Sequence, residues 1–230
     1  MKASLNSLDG YADLLFEDRH LIILNKYPDV PVIPPRQRSA CADISLRERL
    51  EEGTGEKIFV VHRIDRATSG LIVFCRTAEA HRMLSMQFEQ RRVKKEYRVM
   101  VQGTVTGDVT IDAPLHQFGS GRMGIREDGK PSRTDINVVE QLHGVTLLKA
   151  MPVTGRRHQI RVHLYHLGYS VMGDRLYGND RPVGGIERMM LHAASLSFYY
   201  PEETSFTIDA PVDKQWEAVE ERFRQEPSGK

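Results

Sequence analysis

Short apolar runs, each bounded by charged or turn-forming residues, pattern the first hundred positions. Residues 14–16 and 21–24 are two such runs separated by Glu17-Asp18-Arg19-His20, a spacing that predicts two strands and a tight turn. Pro28, Pro31, Pro34 and Pro35 then enforce an extended loop. Asp43 is placed to cap a short helix running through Leu50, and residues 59–61 and 71–74 predict strands around a polar turn. Thr77 is a candidate N-cap for a helix to about Arg91, with Met83, Leu84, Met86 and Phe88 on its apolar side. Strand patterns return at 97–101, 137–142 and 145–151, the last two joined by His143-Gly144 in a tight hairpin. A helix over 157–167 should end at Gly168 in the left-handed conformation. Residues 196–199 and 205–208 predict late strands, and Asp213 caps a final helix carrying Trp216, Val219 and Phe223 on one side. Helices and strands mix without a regular βαβ alternation. The expected class is therefore α+β, a mixed, largely antiparallel sheet flanked by helices, with residues 1–230 forming a single domain.

Composition narrows the function classes. With 230 residues and 40% hydrophobic side chains the chain can build a core, which excludes disorder as its dominant state. The formal charge is only +1, but residues 201–230 hold eight acidic and four basic side chains, so the preceding chain is distinctly basic. Two cysteines, Cys41 and Cys75, assemble neither a disulfide scaffold nor a four-thiolate zinc site, and a reducing, cytoplasmic setting is expected. The first residues lack an apolar leader core, and no apolar run approaches the roughly 18 residues of a membrane helix, so no membrane partner is expected.

Chemistry concentrates in two places. The first is the polar turn Val61-His62-Arg63-Ile64-Asp65-Arg66-Ala67-Thr68-Ser69-Gly70, wedged between apolar strands. Arg63 and Arg66 flank Asp65 and would hold its carboxylate ionised, competent as nucleophile or base. A purely structural turn, in which Asp65 and Thr68 satisfy backbone donors, fits the same residues. The second is Thr154-Gly155-Arg156-Arg157-His158-Gln159-Ile160-Arg161-Val162-His163, where cations enter a helix whose first N–H groups already favour anions. Arg156 and Arg157, with Arg91, Arg92, Lys94 and Lys95 in the run 91–98, are candidate phosphate contacts or simply solvated faces. His158, His163 and His166 lack the i, i+4 spacing and the acid of a zinc-hydrolase face, so no metal is assigned. Gly119-Ser120-Gly121-Arg122-Met123-Gly124 matches a dinucleotide fingerprint in letters, but loop chemistry follows it where a helix is needed.

Read in order, these blocks resemble the RluA family of RNA pseudouridine synthases. Asn25-Lys26 with Pro28 is similar to the family's N-K-P motif, residues 62–70 to H-R-L-D-x-x-T-S-G, and Lys95-Glu96-Tyr97 to K-x-Y. Residues 129–134, 154–163, Gly173-Asp174-Arg175-Leu176-Tyr177-Gly178 and Leu191-His192-Ala193 resemble four further blocks. Two positions depart from the pattern: Tyr27 intrudes between Lys26 and Pro28, and Asp29 stands where a small residue and glycine are common. The resemblance implies a pseudouridine-synthase catalytic domain with a central active-site cleft, in the short form without a separate N-terminal RNA-binding domain. It implies isomerisation of uridine in structured RNA, ribosomal or transfer, without cofactor. Asp65 would be the essential carboxylate, attacking C6 of the base or C1′ of the ribose. Arg161 would pair with Asp65, Tyr97 would stack on the target base and relay its C5 proton, and Arg63 would enter the gap left by the flipped uridine. RNA is the partner implied, for a monomer with no obligate protein partner. An RNA-binding protein of the same fold that has lost the chemistry is the alternative, and retention of Asp65, Tyr97 and Arg161 together argues against it.

Overall fold

The structure, a computed structural model, describes residues 8–35, 43–178, 185–186, 188–201 and 203–225. In chain order they form β1 (Ala12–Glu17), β2 (Leu21–Lys26), α1 (Leu46–Thr54), β3 (Phe59–Val60), β4 (Ser69–Cys75), α2 (Ala78–Glu89), β5 (Lys94–Gln102), β6 (Val109–Asp112), β7 (Leu115–Gln117) and β8 (Met123–Ile125). There follow β9 (Arg133–Gln141), β10 (Val145–Pro152), α3 (Gln159–His166), β11 (Leu191–Tyr199), β12 (Ser205–Asp209) and α4 (Lys214–Gln225). This is the α+β class expected. The chain divides into two compact units, one of residues 1–93 and 195–211, the other of 94–194 and 212–230.

In the first unit β2 pairs antiparallel with both β1 and β4, and β3 adds to β4. Every residue of β2 and β4 is buried, which is why both read as unbroken apolar runs and not as an alternation. Asp18 makes the turn between β1 and β2, its Oδ1 accepting the N–H groups of His20 and Leu21 at 2.8 and 2.7 Å. The first helix starts two residues later than Asp43 would place it. Ser45 is its N-cap and forms a reciprocal capping box with Glu48, while Asp43 pairs with Arg66. Thr77 caps α2 as expected. Its apolar side is differently composed: Met86 is exposed and Gln87 is buried, exchanging hydrogen bonds with both the N–H and the C=O of Tyr199.

In the second unit β5, β10, β9 and β6 form an antiparallel ladder in that order. Asp213 caps α4 through the Trp216 N–H at 2.9 Å, and Trp216 and Phe223 pack with Met100, Val145 and Leu147 on one face. Helix α3 covers the opposite face: Thr134, which bonds His163, follows the same side of the ladder as Ala150, the partner of Tyr97. This helix begins at Gln159 and not at Arg157, because His158 takes the left-handed conformation at φ 55°. Sequence pattern gave no sign of β6, β7 and β8. The latter two form a hairpin across the glycine-rich segment read above as a loop, with Gly121 at φ 79°.

Gly173 is required by geometry, since its φ is 72° and a Cβ would lie 1.8 Å from the Arg188 carbonyl oxygen. Gly173→Ala should therefore cost about 3 kcal/mol from left-handed strain and overpacking. Urea unfolding of the purified variant measures it, and a loss below half that value would show that the backbone gives way.

Candidate active site

Predicted site residues lie in both units, and in each unit buried side chains that meet backbone hold the local structure around them. In the first unit, Lys26 is fully buried at the end of β2 and its Nζ donates to the carbonyls of Tyr27 at 2.8 Å and Arg66 at 2.7 Å. An ammonium so placed ties the loop after β2 to the turn that carries Asp65. His62 fixes the start of that turn. Its Nε2 accepts the Val73 N–H at 3.0 Å and its ring stacks on Phe88. Thr68 N–H closes the turn on the Asp65 carbonyl at 3.1 Å. Asp65 is left half-buried and Arg63 exposed. Arg66, read above as support for Asp65, reaches the Asp29 carbonyl at 2.9 Å and the Asp43 carboxylate. Asp29 sits at φ 61°, a left-handed conformation that suits the glycine-rich character of this position in the family pattern and that Asp tolerates better than most residues.

In the second unit, Arg161 is buried on α3, and its Nε and Nη2 donate to the two Asp174 carboxylate oxygens at 2.6 and 2.7 Å. Asp174 is a charge partner of Arg161 that the resemblance did not name. Asp174 also accepts the N–H groups of Leu176 and Tyr177 at 2.9 and 3.1 Å. Burial alone would raise its pKa, but the Arg161 fork and the two N–H donors outweigh burial and hold it below the usual carboxylate value. The Arg161 guanidinium carbon lies 5.0 Å from the Tyr177 ring centroid.

A second buried network sets the turn before α3. Gln159 Oε1 accepts the Thr154 hydroxyl at 2.6 Å and the Arg156 N–H at 3.0 Å, while its Nε2 donates to the Arg133 carbonyl and Thr134 Oγ1, both at 2.9 Å. His163 continues it, with Nε2 3.0 Å from the Ala113 carbonyl and Nδ1 2.9 Å from Thr134 Oγ1. A carbonyl only accepts, so Nε2 carries the proton and Nδ1 takes the threonine hydroxyl; burial lowers the His163 pKa and favours this neutral form. His158 Nδ1 meets the Tyr177 hydroxyl at 2.8 Å. Two of the histidines that suggested a metal face, His158 and His163, are engaged in these bonds, His166 is exposed, and among the described residues no group of three metal-ligating side chains is assembled.

Tyr97 is half-buried on β5, on the same face as Lys95. Lys95 Nζ donates to the Thr154 carbonyl at 3.1 Å, and burial pushes its pKa down to about 8. That contact brings Lys95 to the turn bearing Arg156 and Arg157, both of which are exposed. The rest of the run 91–98 divides. Arg92 is paired with Glu203 and lies over Tyr199, and Arg98 is paired with Glu220, whereas Arg91 and Lys94 are exposed. Sequence reasoning missed Asp174 as a charge partner, together with the bracing roles of Lys26, Gln159 and Tyr177. Their motif blocks were visible, but the pairings are not written in spacing.

Residues 20–166 match the family described as RNA pseudouridylate synthase. Among curated proteins, the chain is 38% identical to the dual-specificity RNA pseudouridine synthase RluA of Vibrio vulnificus, over 84% of this chain and 80% of that one. It is 34% identical to the ribosomal large subunit pseudouridine synthase D of Nitrosomonas europaea, over 93% of this chain and 66% of that one. Among solved structures, human RNA pseudouridylate synthase domain containing 1 superposes with a TM-score of 0.74 at 26% identity, covering 95% of this chain and 97% of that one.

Asp174→Asn should destabilise the protein by about 3 kcal/mol, because a buried guanidinium loses a two-pronged ionic partner. The pH dependence gives a second reading. A carboxyl whose folded pKa is lowered stabilises fully above its unfolded value of about 4, and that contribution is lost as pH falls through the folded value. Wild-type stability should therefore decline more steeply on acidification than that of the Asn variant. Parallel acid limbs in chemical denaturation would contradict the assignment.

Proposed function

This chain belongs to the RNA pseudouridylate synthase family, and on that premise we propose that it converts specific uridines in structured RNA to pseudouridine with Asp65 as the nucleophile. The observation that carries this reading is the braced turn. Lys26 and His62 fix its backbone through main-chain groups, which supports a turn held in place to present Asp65 to substrate. A carboxylate suits the task because it adds as a nucleophile and departs again as a leaving group. Asp65 attacks C6 of the base or C1′ of the ribose. The N1–C1′ bond breaks, the base turns, C5 bonds to C1′, and the C5 proton leaves. No step calls for a cofactor.

The supporting roles follow the resemblance. Tyr97 stacks on the target base and receives or relays the C5 proton, Arg161 supports the negative charge of the reacting carboxylate, and Arg63 fills the gap left by the flipped uridine. Flipping costs a few kcal/mol and least where stacking is already weak, which makes a stem-loop the natural substrate. Ribosomal and transfer RNA are both candidates, since one bacterial relative is named for the large ribosomal subunit and the other for dual specificity. Exposed Arg156 and Arg157, on the turn fixed by Gln159, contact phosphate, with Lys95 beneath them and Arg91 and Lys94 as further cations.

Asp65→Asn should abolish pseudouridine formation on RNA from cells lacking this protein while leaving RNA binding in place. Pseudouridine mapping beside a binding titration tests both, and wild-type turnover by the Asn variant would remove Asp65 from the mechanism. A second measurement addresses the phosphate contacts. Each contributes about −0.7 to the slope of log affinity against log salt for single strands, so replacing Arg156 and Arg157 by Ala should flatten the slope by about two contacts. An unchanged slope would return both arginines to the solvated surface.

A further inference from the structure

Tyr177 is almost wholly buried, yet it touches three parts of the second unit that carry charge. Its hydroxyl accepts the Met123 N–H of β8 at 3.0 Å and lies 2.8 Å from His158 Nδ1, at the entry to α3. Its ring lies 5.0 Å from the Arg161 guanidinium carbon and 5.2 Å from that of Arg122, on the turn between β7 and β8. That hairpin presents Phe118 exposed, with the His116 ring 5.3 Å away and the guanidinium of Arg126, which is paired with Asp128, 5.9 Å away. An exposed aromatic beside an arginine suits an unpaired base.

We propose that Tyr177 is a positioning residue with two separable parts: its hydroxyl sets the β7–β8 hairpin and the His158 turn for RNA binding, and its ring sets the Arg161 guanidinium for the reaction. This rests on the pseudouridine synthase reading for its catalytic half. The hydroxyl half has a physical basis of its own. A three-residue strand pair such as β7–β8 is too short to be stable alone, so a side chain that claims a β8 main-chain N–H bears directly on where the hairpin rests. His158 is likewise held in a left-handed conformation that costs a non-glycine residue energy, and the Tyr177 hydroxyl is a bond that holds it there. The ring half follows from the geometry of Arg161. Asp174 fixes two of its nitrogens in the plane of the fork, and an aromatic ring beside that plane limits its remaining tilt.

Two variants separate the parts. Tyr177→Phe keeps the ring and should raise KM for a stem-loop RNA about fivefold, the loss expected for one well-formed hydrogen bond, with a smaller change in kcat. It should also speed amide hydrogen exchange across residues 115–125. Tyr177→Leu removes the ring as well and should lower kcat beyond the Phe variant. A general loss of packing would move KM and kcat together and would show first as a lower Tm. The proposal is overturned if Tyr177→Phe exchanges and binds as wild type does, or if Phe and Leu lower kcat equally. If the wild-type protein converts no uridine, the function proposed above fails instead, and exchange with direct RNA affinity still decides the role of the hydroxyl.

Discussion

The buried pair of Arg161 and Asp174 is the constraint from which much of the second unit follows. Neither charge could remain in the interior alone, since an unpaired buried ion costs several kcal/mol. The pair therefore obliges α3 to lie where a fork can meet both carboxylate oxygens, and it obliges the turn at 174–178 to fold tightly enough to aim two N–H groups at the same acid. Gly178 is part of that cost: a Cβ there would lie 2.1 Å from the Asp174 carbonyl oxygen. Once the turn is set, Tyr177 is directed back toward α3 and β8, and the basic hairpin acquires its contact with the interior.

The first unit also buries a charge. Lys26 is buried, and its ammonium donates to backbone carbonyls from two segments. Main-chain oxygens are fixed by the fold, so an interior cation bound to them braces a loop. Arg66 works similarly from the surface, with a carbonyl and a carboxylate as its partners. A turn held in this way can place a side chain for chemistry with its backbone already fixed.

Much of this was legible in the sequence where one physical signal dominated. The runs at 21–24 and 71–74 read as strands because burial on both faces leaves no polar alternative, and Asp213 read as a cap because a helical apolar stripe begins three residues later. The signal failed where two residues competed. Asp43 and Ser45 are both competent caps, and the deciding clue was Glu48, three residues after Ser45. Strands of three or four residues such as β6, β7 and β8 are too short to show a period, and the glycines around them point to loop. In the site, the residue types and their order were readable as a family pattern, whereas the pairing of Arg161 with Asp174 was not. Asp174 lies thirteen positions away across a turn, and only the folded chain brings the two together.

The exchange between Gln87 and Tyr199 has a consequence beyond the packing of α2. A primary amide presents one acceptor and one donor side by side, the same pair that a neighbouring strand would offer to Tyr199. By occupying both, a single helical side chain ends the hydrogen-bonding template of β11 at this point, where an open main-chain edge would otherwise be available to a strand from another molecule. Gln87 thus completes the main-chain pairing of Tyr199 from a helix, a task done by a residue that no hydrophobic pattern would have chosen for the interior.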